Sequence, residues 1–325
     1  MKKPLFSNLL WLFALAVALM GGNAQAQAYP ARPIKFIAAL GPGSGTDTVT
    51  RYFAEKVGQV LHQSVVVDNR PGGDGIIAVQ ALLAAPPDGY TALIVAPSSA
   101  VMNPMLKRDL AYDFKRDIRP LVLIGRGAFL FVTNPKSPHQ SLKDLVANAK
   151  AAPKSVNVGN YAQQYHLSAA LFEQMAGVLF NHIPYKTPGP LITDLVSGTT
   201  EVGLVDVAAA LPLIRAGKLR PLAVTGVTRN ADLPAVPTVK ESGFPDYQVY
   251  GWIGLGVRTG TPEAVVKALE TAIMEVAAQP ATQEFLTNNG RQEVIGAGSE
   301  RFTEWIASET AKYAAVVKVL GLTPQ

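Results

Sequence analysis

The sequence contains no cysteine. That removes disulfides, thiol nucleophiles and thiolate metal sites together, and with them the modified cysteine of a lipoprotein anchor. Histidine is scarce too. His62, His139, His166 and His182 are the only four, and none forms a close His-x-x-x-His pair or a zinc-protease motif. Each is read as a surface or supporting residue, and no metal or cofactor is called for. Charge of one sign is also in short supply. The formal net charge of +5 falls to +3 without Lys2 and Lys3, too small a surplus for a nucleic-acid surface. Beyond the N-terminus, no apolar run reaches the roughly 20 residues of a membrane span without charges or prolines.

What is present starts with Lys2 and Lys3, an apolar run from Leu9 to Met20, and the triplet Ala24-Gln25-Ala26. This order is that of a secretory signal peptide cut after Ala26, with a run too short to be a transmembrane anchor. The expected location is therefore the periplasm. Residues 27–325 suffice for a sizeable core and two domains.

Strand-like and helix-like segments then alternate. Ile34 to Leu40 reads as a buried strand, and Val49, Tyr52, Phe53, Val57, Val60 and Leu61 recur at helical spacing, with Thr46 or Asp47 as the expected cap. Val65–Val67 and Tyr90–Ala96 read as strands, with a helix over Ile76–Ala84 between them. A second set begins at "LFVTNP", Leu130 to Pro135. Its helices are expected at 141–151, 166–176, 190–197 and 208–216, and its strands around 155–160, 178–186, 201–205 and 219–225. "YGWIGLGV" is a return segment, and helices over 263–278 and 301–319 close the chain, free to pack on the first set. The alternation implies an α/β chain of two lobes, each a mostly parallel sheet flanked by helices, with a ligand cleft between them. The expected boundaries are 27–127 plus 250–325 for the first lobe and 128–249 for the second.

The stretch "GPGSGTD", Gly41 to Asp47, sits between the first strand and the first helix. A dinucleotide fingerprint would need a third glycine where Thr46 stands, although Asp68 falls near the usual offset. A P-loop would need a lysine after the last glycine, and a nucleophile elbow would need glycine at Pro42, two residues before Ser44. No acid, base and nucleophile assemble elsewhere, so the chain is not read as an enzyme. What remains is a turn whose amides and helix start favour an anion. Other strand exits are polar as well: Ser98 and Ser99, Asn160 and Tyr161, and Asp206. Ligands collect beyond the carboxyl ends of strands in such sheets. Ordinary turn and cap roles would draw on the same residue types.

The landmarks "YPARPIKFIAALGPGSGTDTVTRYFAEKV", "VVVDNRPGGDGIIA", "PPDGYTALI", "HIPYK", "IRAGKLRPLAVT" and "LPAVPTVKESGFPDY" occur in that order. Together they resemble the Bug family of periplasmic receptors that serve tripartite tricarboxylate-type transporters. The resemblance implies a two-lobed, monomeric receptor that closes on a small organic carboxylate, dicarboxylic or aromatic, and presents it to membrane subunits. It implies that one carboxylate is pinched, partly through water, between Pro42, Gly43, Ser44, Gly45, Thr46 and Asp47 and a second-lobe loop near Gly159 to His166. There "GNYAQQYH" departs from the family's glycine- and serine-rich stretch and introduces Tyr161 and Tyr165 beside Asn160 and His166. Asp206, by its family position, would accept a hydrogen bond from the ligand's other end. A sensor feeding a signalling partner and an exported enzyme on acidic substrates are the alternatives.

Overall fold

The computed structural model describes residues 29–42, 44–287, 293–319 and 321–322. The signal segment and Gly43 lie outside the described residues. β1 (Ile34–Ala38) leads through the glycine turn into α1 (Gly45–Leu61). Ser44 caps this helix, its hydroxyl accepting the Asp47 N–H at 3.1 Å, so the cap lies two residues before the earliest position expected. The reason is backbone geometry: Ser44 is extended (ψ 158°), and the helix opens at Gly45. β2 (Val65–Asn69) follows, then α2 (Ile76–Leu83), β3 (Thr91–Val95), and two short helices, α3 (Asn103–Leu106) and α4 (Phe114–Asp117).

β4 (Ile118–Thr133) is 16 residues long and starts a dozen residues before the extended run expected at Leu130. Pro120, Gly125 and Gly127 punctuate its sequence as a loop would. The strand absorbs two of them at register shifts, between Pro120 and Val122 and between Leu123 and Gly125. The second set then runs α5 (Leu142–Ala151), β5 (Asn157–Asn160), α6 (Gln163–Ala176), β6 (Asn181–Pro184), α7 (Pro188–Ser197), β7 (Val202–Asp206), α8 (Val207–Arg215) and β8 (Arg220–Val224). β9 (Tyr250–Arg258) returns to the first set, followed by α9 (Glu263–Ala278), α10 (Pro280–Phe285), β10 (Glu293–Ala297) and α11 (Ser299–Val319).

β4 belongs to both sheets. From Ile118 to Ala128 it pairs with β9, with β10 on its other edge; from Phe129 to Thr133 it pairs with β7 and β8. β2, β1 and β3 are parallel, as are β6, β5 and β7, whereas β4, β9 and β10 enter antiparallel. The mixture follows from one strand crossing between sheets and another returning alongside it. Apolar layers cover both faces of each sheet. α11 does not keep to the first lobe. Its Phe302, Ile306 and Tyr313 lie in a first-lobe layer, and Val316 lies in a second-lobe layer.

Candidate functional site

The strand ends converge on the crossing. Val95, the last residue of β3, pairs with Gly254 of β9. Tyr250, four residues or roughly 13 Å along that strand, pairs with Ala128. Asp206, the last residue of β7, pairs with Phe129, the next residue of β4. The carboxyl ends of both parallel sets therefore face the point where the chain passes between lobes, which is where such sheets bind ligands.

On the first-lobe side, α1 follows β1 through the glycine turn. Among the described residues, no acceptor takes the amides of Gly45 and Thr46. A Cβ placed on Gly41 or Gly45 would meet nothing within 4 Å. The helix start thus offers amides and a favourable dipole to open space. Asp47 does not face that space. Its carboxylate is buried and held by Asn69 Nδ2 at 2.9 Å and Arg51 Nε at 3.0 Å. Asn69 Nδ2 also donates to the Leu40 carbonyl at 2.8 Å, so one amide ties the two ends of the glycine turn together. Motif reading missed Asn69; its signal was a place at the head of "NRPGG". The rest of that motif sets backbone shape, with Gly72, Gly73, Asp74 and Gly75 all at positive φ. A Cβ on Gly75 would stand 3.5 Å from Ala39 and 3.6 Å from Ser99, so the three exits lie side by side. The buried Ser99 hydroxyl donates to Ala96, while Ser98 is half-buried and its hydroxyl has no partner among the described residues. Among the described residues no histidine bonds Ser44, Ser98 or Ser99.

On the second-lobe side, α6 begins at Gln163, three residues earlier than expected, after an extended Ala162 with no capping side chain. That early start places Tyr165 within the first helical turn, beside Tyr161 of the preceding loop. Their ring centroids are 4.1 Å apart, and Tyr165 packs on Phe129 at 4.5 Å. Both phenols donate to one oxygen of Asp206: Tyr161 to Oδ2 at 2.5 Å and Tyr165 to Oδ2 at 2.8 Å. Burial pushes the Asp206 carboxyl above the usual carboxylate range, and the two phenols partly offset it. Burial and then the Asp206 charge push both phenols well above their ordinary value, so they stay protonated as donors. The Asn160 amide is nearly buried and has no partner among the described side chains. His166 is not part of this group. Its ring packs against His182 at 4.5 Å, and burial, followed by the neighbouring His182, lowers its pKa.

The two lobes meet beside these exits, where Leu167 of α6 lies in the apolar layer that contains Ala100 and Val101. The structure thus brings Ser98, Asn160, Tyr161, Tyr165 and Asp206 toward the crossing with the open start of α1. It turns Asp47 and His166 to supporting positions.

The family model described as tripartite tricarboxylate transporter family receptor (TctC) matches residues 49–322. Protein BugT of Bordetella pertussis is 34% identical over 310 residues, spanning 94% of this chain and 95% of that protein. Among solved structures, Rpa4515 of R. palustris with adipate is 31% identical with a TM-score of 0.84, covering 91% of this chain and 100% of that one. MatC from Rhodopseudomonas palustris with bound malate is 25% identical with a TM-score of 0.78, covering 89% and 100%.

Proposed function

The chain belongs to the tripartite tricarboxylate transporter receptor (TctC) family, and from that premise we propose that it is a periplasmic receptor capturing a small organic carboxylate between its lobes. It performs no chemistry on the ligand. Lobe closure presents the bound form to membrane subunits of the transporter. Export through the segment 1–26 and action as a monomer belong to the same reading. The change of strand partners between Ala128 and Phe129 supports lobes of 27–127 plus 250–325 and of 128–249.

The observation that carries the reading is the start of α1, where, among the described residues, the amides of Gly45 and Thr46 have no acceptor and a Cβ on Gly45 would meet nothing within 4 Å. A carboxylate there would satisfy amides that a helix cannot satisfy itself. Adipate and malate, the ligands of the two structural relatives, have this group in common.

Gly45→Val tests the placement. Its Cβ meets no protein atom and its φ is not positive, so ligand-free melting is expected to change little. Melting shifts caused by carboxylates are expected to disappear, because a ligand raises apparent stability only by binding the native state. Undiminished shifts in the variant would place the carboxylate elsewhere.

A further inference from the structure

Asp206 stands at the N-cap of α8, where an aspartate ordinarily accepts from the helix's first amides, yet its side chain makes no such bond. It turns instead to Tyr161 and Tyr165, which both donate to Oδ2. Oδ1 accepts nothing among the described residues. No lysine, arginine or histidine contributes to its electrostatics; only burial and the two phenols do.

These bonds fix the polarity of the surroundings. A phenol has one proton. With both protons directed at Asp206, each tyrosine oxygen has only lone pairs left for anything that enters. The two hydroxyls also interact with each other, and whichever shares its proton keeps it inside the triad. With Asp206 ionised, the second-lobe side of the cleft thus presents a carboxylate oxygen and two phenol oxygens, all acceptors, with one negative charge. The paired rings add a face that attracts cations.

We infer that Tyr161, Tyr165 and Asp206 form an acceptor-only subsite that selects carboxylates carrying an ammonium group, with hydroxyl-bearing acids second and simple dicarboxylates disfavoured. The inference rests on the receptor reading above, which supplies the site for the ligand's first carboxylate. An ammonium brings donors and an opposite charge to Oδ1. A hydroxyl brings one donor. A second carboxylate brings neither, and meets a like charge where burial weakens screening. Selection is thus partly by repulsion. Asp206 is the determinant, and Tyr161 shapes its surroundings. The Tyr161 proton blocks one oxygen of the acid, and the Tyr161 ring covers Tyr165.

Titration calorimetry on the purified mature chain tests this with ligands matched in carbon number. The probes are 4-aminobutanoate against succinate, 6-aminohexanoate against adipate, and malate against succinate. At the chain length that fits, the amino acid is expected to bind at least about tenfold tighter than its dicarboxylate. Malate should exceed succinate by a smaller factor. Asp206→Asn, which keeps an oxygen for both phenols, is expected to bring the amino-acid preference to within about twofold of unity. Tyr161→Phe keeps the ring, leaves Oδ2 with the Tyr165 proton alone, and is expected to keep or increase that preference. A dicarboxylate that binds the wild type as tightly as the matched amino acid would overturn the inference. So would a preference that survives Asp206→Asn or is lost in Tyr161→Phe. Failure of every carboxylate to bind would instead bring down the receptor reading itself.

Discussion

Burial holds the Asp206 carboxyl above its ordinary range, and two donated hydrogen bonds recover only part of the difference. A raised native pKa means that the folded chain binds more protons than the unfolded chain between the ordinary value and the native one. Stability contributed at Asp206 is therefore highest at low pH and falls as pH rises through that window. Asp206→Asn removes the buried charge and keeps both phenols satisfied. Without ligand it is expected to melt higher than wild type at pH 7–8, with the gap closing as pH falls toward about 4. A calorimetric melting series over pH 4–8 checks this, and a variant less stable than wild type at pH 8 would contradict it. The same substitution is expected to weaken binding, a trade of stability for function. At this scale the sequence was informative about residue types at strand exits. It could not tell which side chains would face the cleft. Asp47 and His166 have suitable chemistry, but the first is claimed by Asn69 and Arg51 and the second by His182. Arg51 stands four residues on along the same helix, a readable spacing, but Asn69 is distant in sequence and the His166–His182 ring contact follows no spacing rule.

At the scale of elements, the crossing is stitched by one side chain. Thr225, fully buried just past β8, accepts the Phe129 N–H at 2.8 Å and donates to the Val249 carbonyl at 2.8 Å. Its own amide bonds Phe129 O, and its carbonyl accepts the Val249 amide. The two segments that pass between lobes and the end of β8 thus share one hydroxyl. Thr225→Val keeps the shape and strands two buried polar groups, at an expected loss of about 2–4 kcal/mol in denaturant unfolding. Thr225→Ser, which keeps the hydroxyl, is expected to recover most of it. A loss in Thr225→Ser with none in Thr225→Val would show that the methyl packing, not the hydroxyl, matters there. Packing around the crossing is equally tight: a Cβ on Gly251 would touch the Phe129 ring at 3.0 Å. Helix ends were legible where capping chemistry is local. Ser141 accepts the Asp144 N–H as the Ser-x-x-Asp pattern predicts. α6 lacks any capping side chain, so its true start left no mark. β4 hid its first half because proline and glycine signal breaks, while tertiary pairing tolerated them at bulges.

For the whole molecule, the alternation of strands and helices was enough to read an α/β chain in two lobes. It says only that each helix has a buried face, not which layer the face meets. That is why the last helices were expected only to be free to pack on the first lobe. α11 contributes Phe302, Ile306 and Tyr313 to one layer and Val316 to another, all at most 5% exposed. Burying four such side chains is worth about 6–12 kcal/mol, comparable with the whole stability of a typical domain, about 5–15 kcal/mol. A chain ending at Gly298 is therefore expected to lose cooperative melting in both lobes. A sharp transition retained by that fragment would show that the earlier layers stand without α11.

The placement of α11 also has a temporal side. Synthesis and export both proceed from the first residue to the last. Because the final helix supplies part of both apolar layers, neither lobe can close its core until some 300 residues have emerged. The helix that completes the receptor is thus also the last to be made, and it sets the moment at which both layers can be finished.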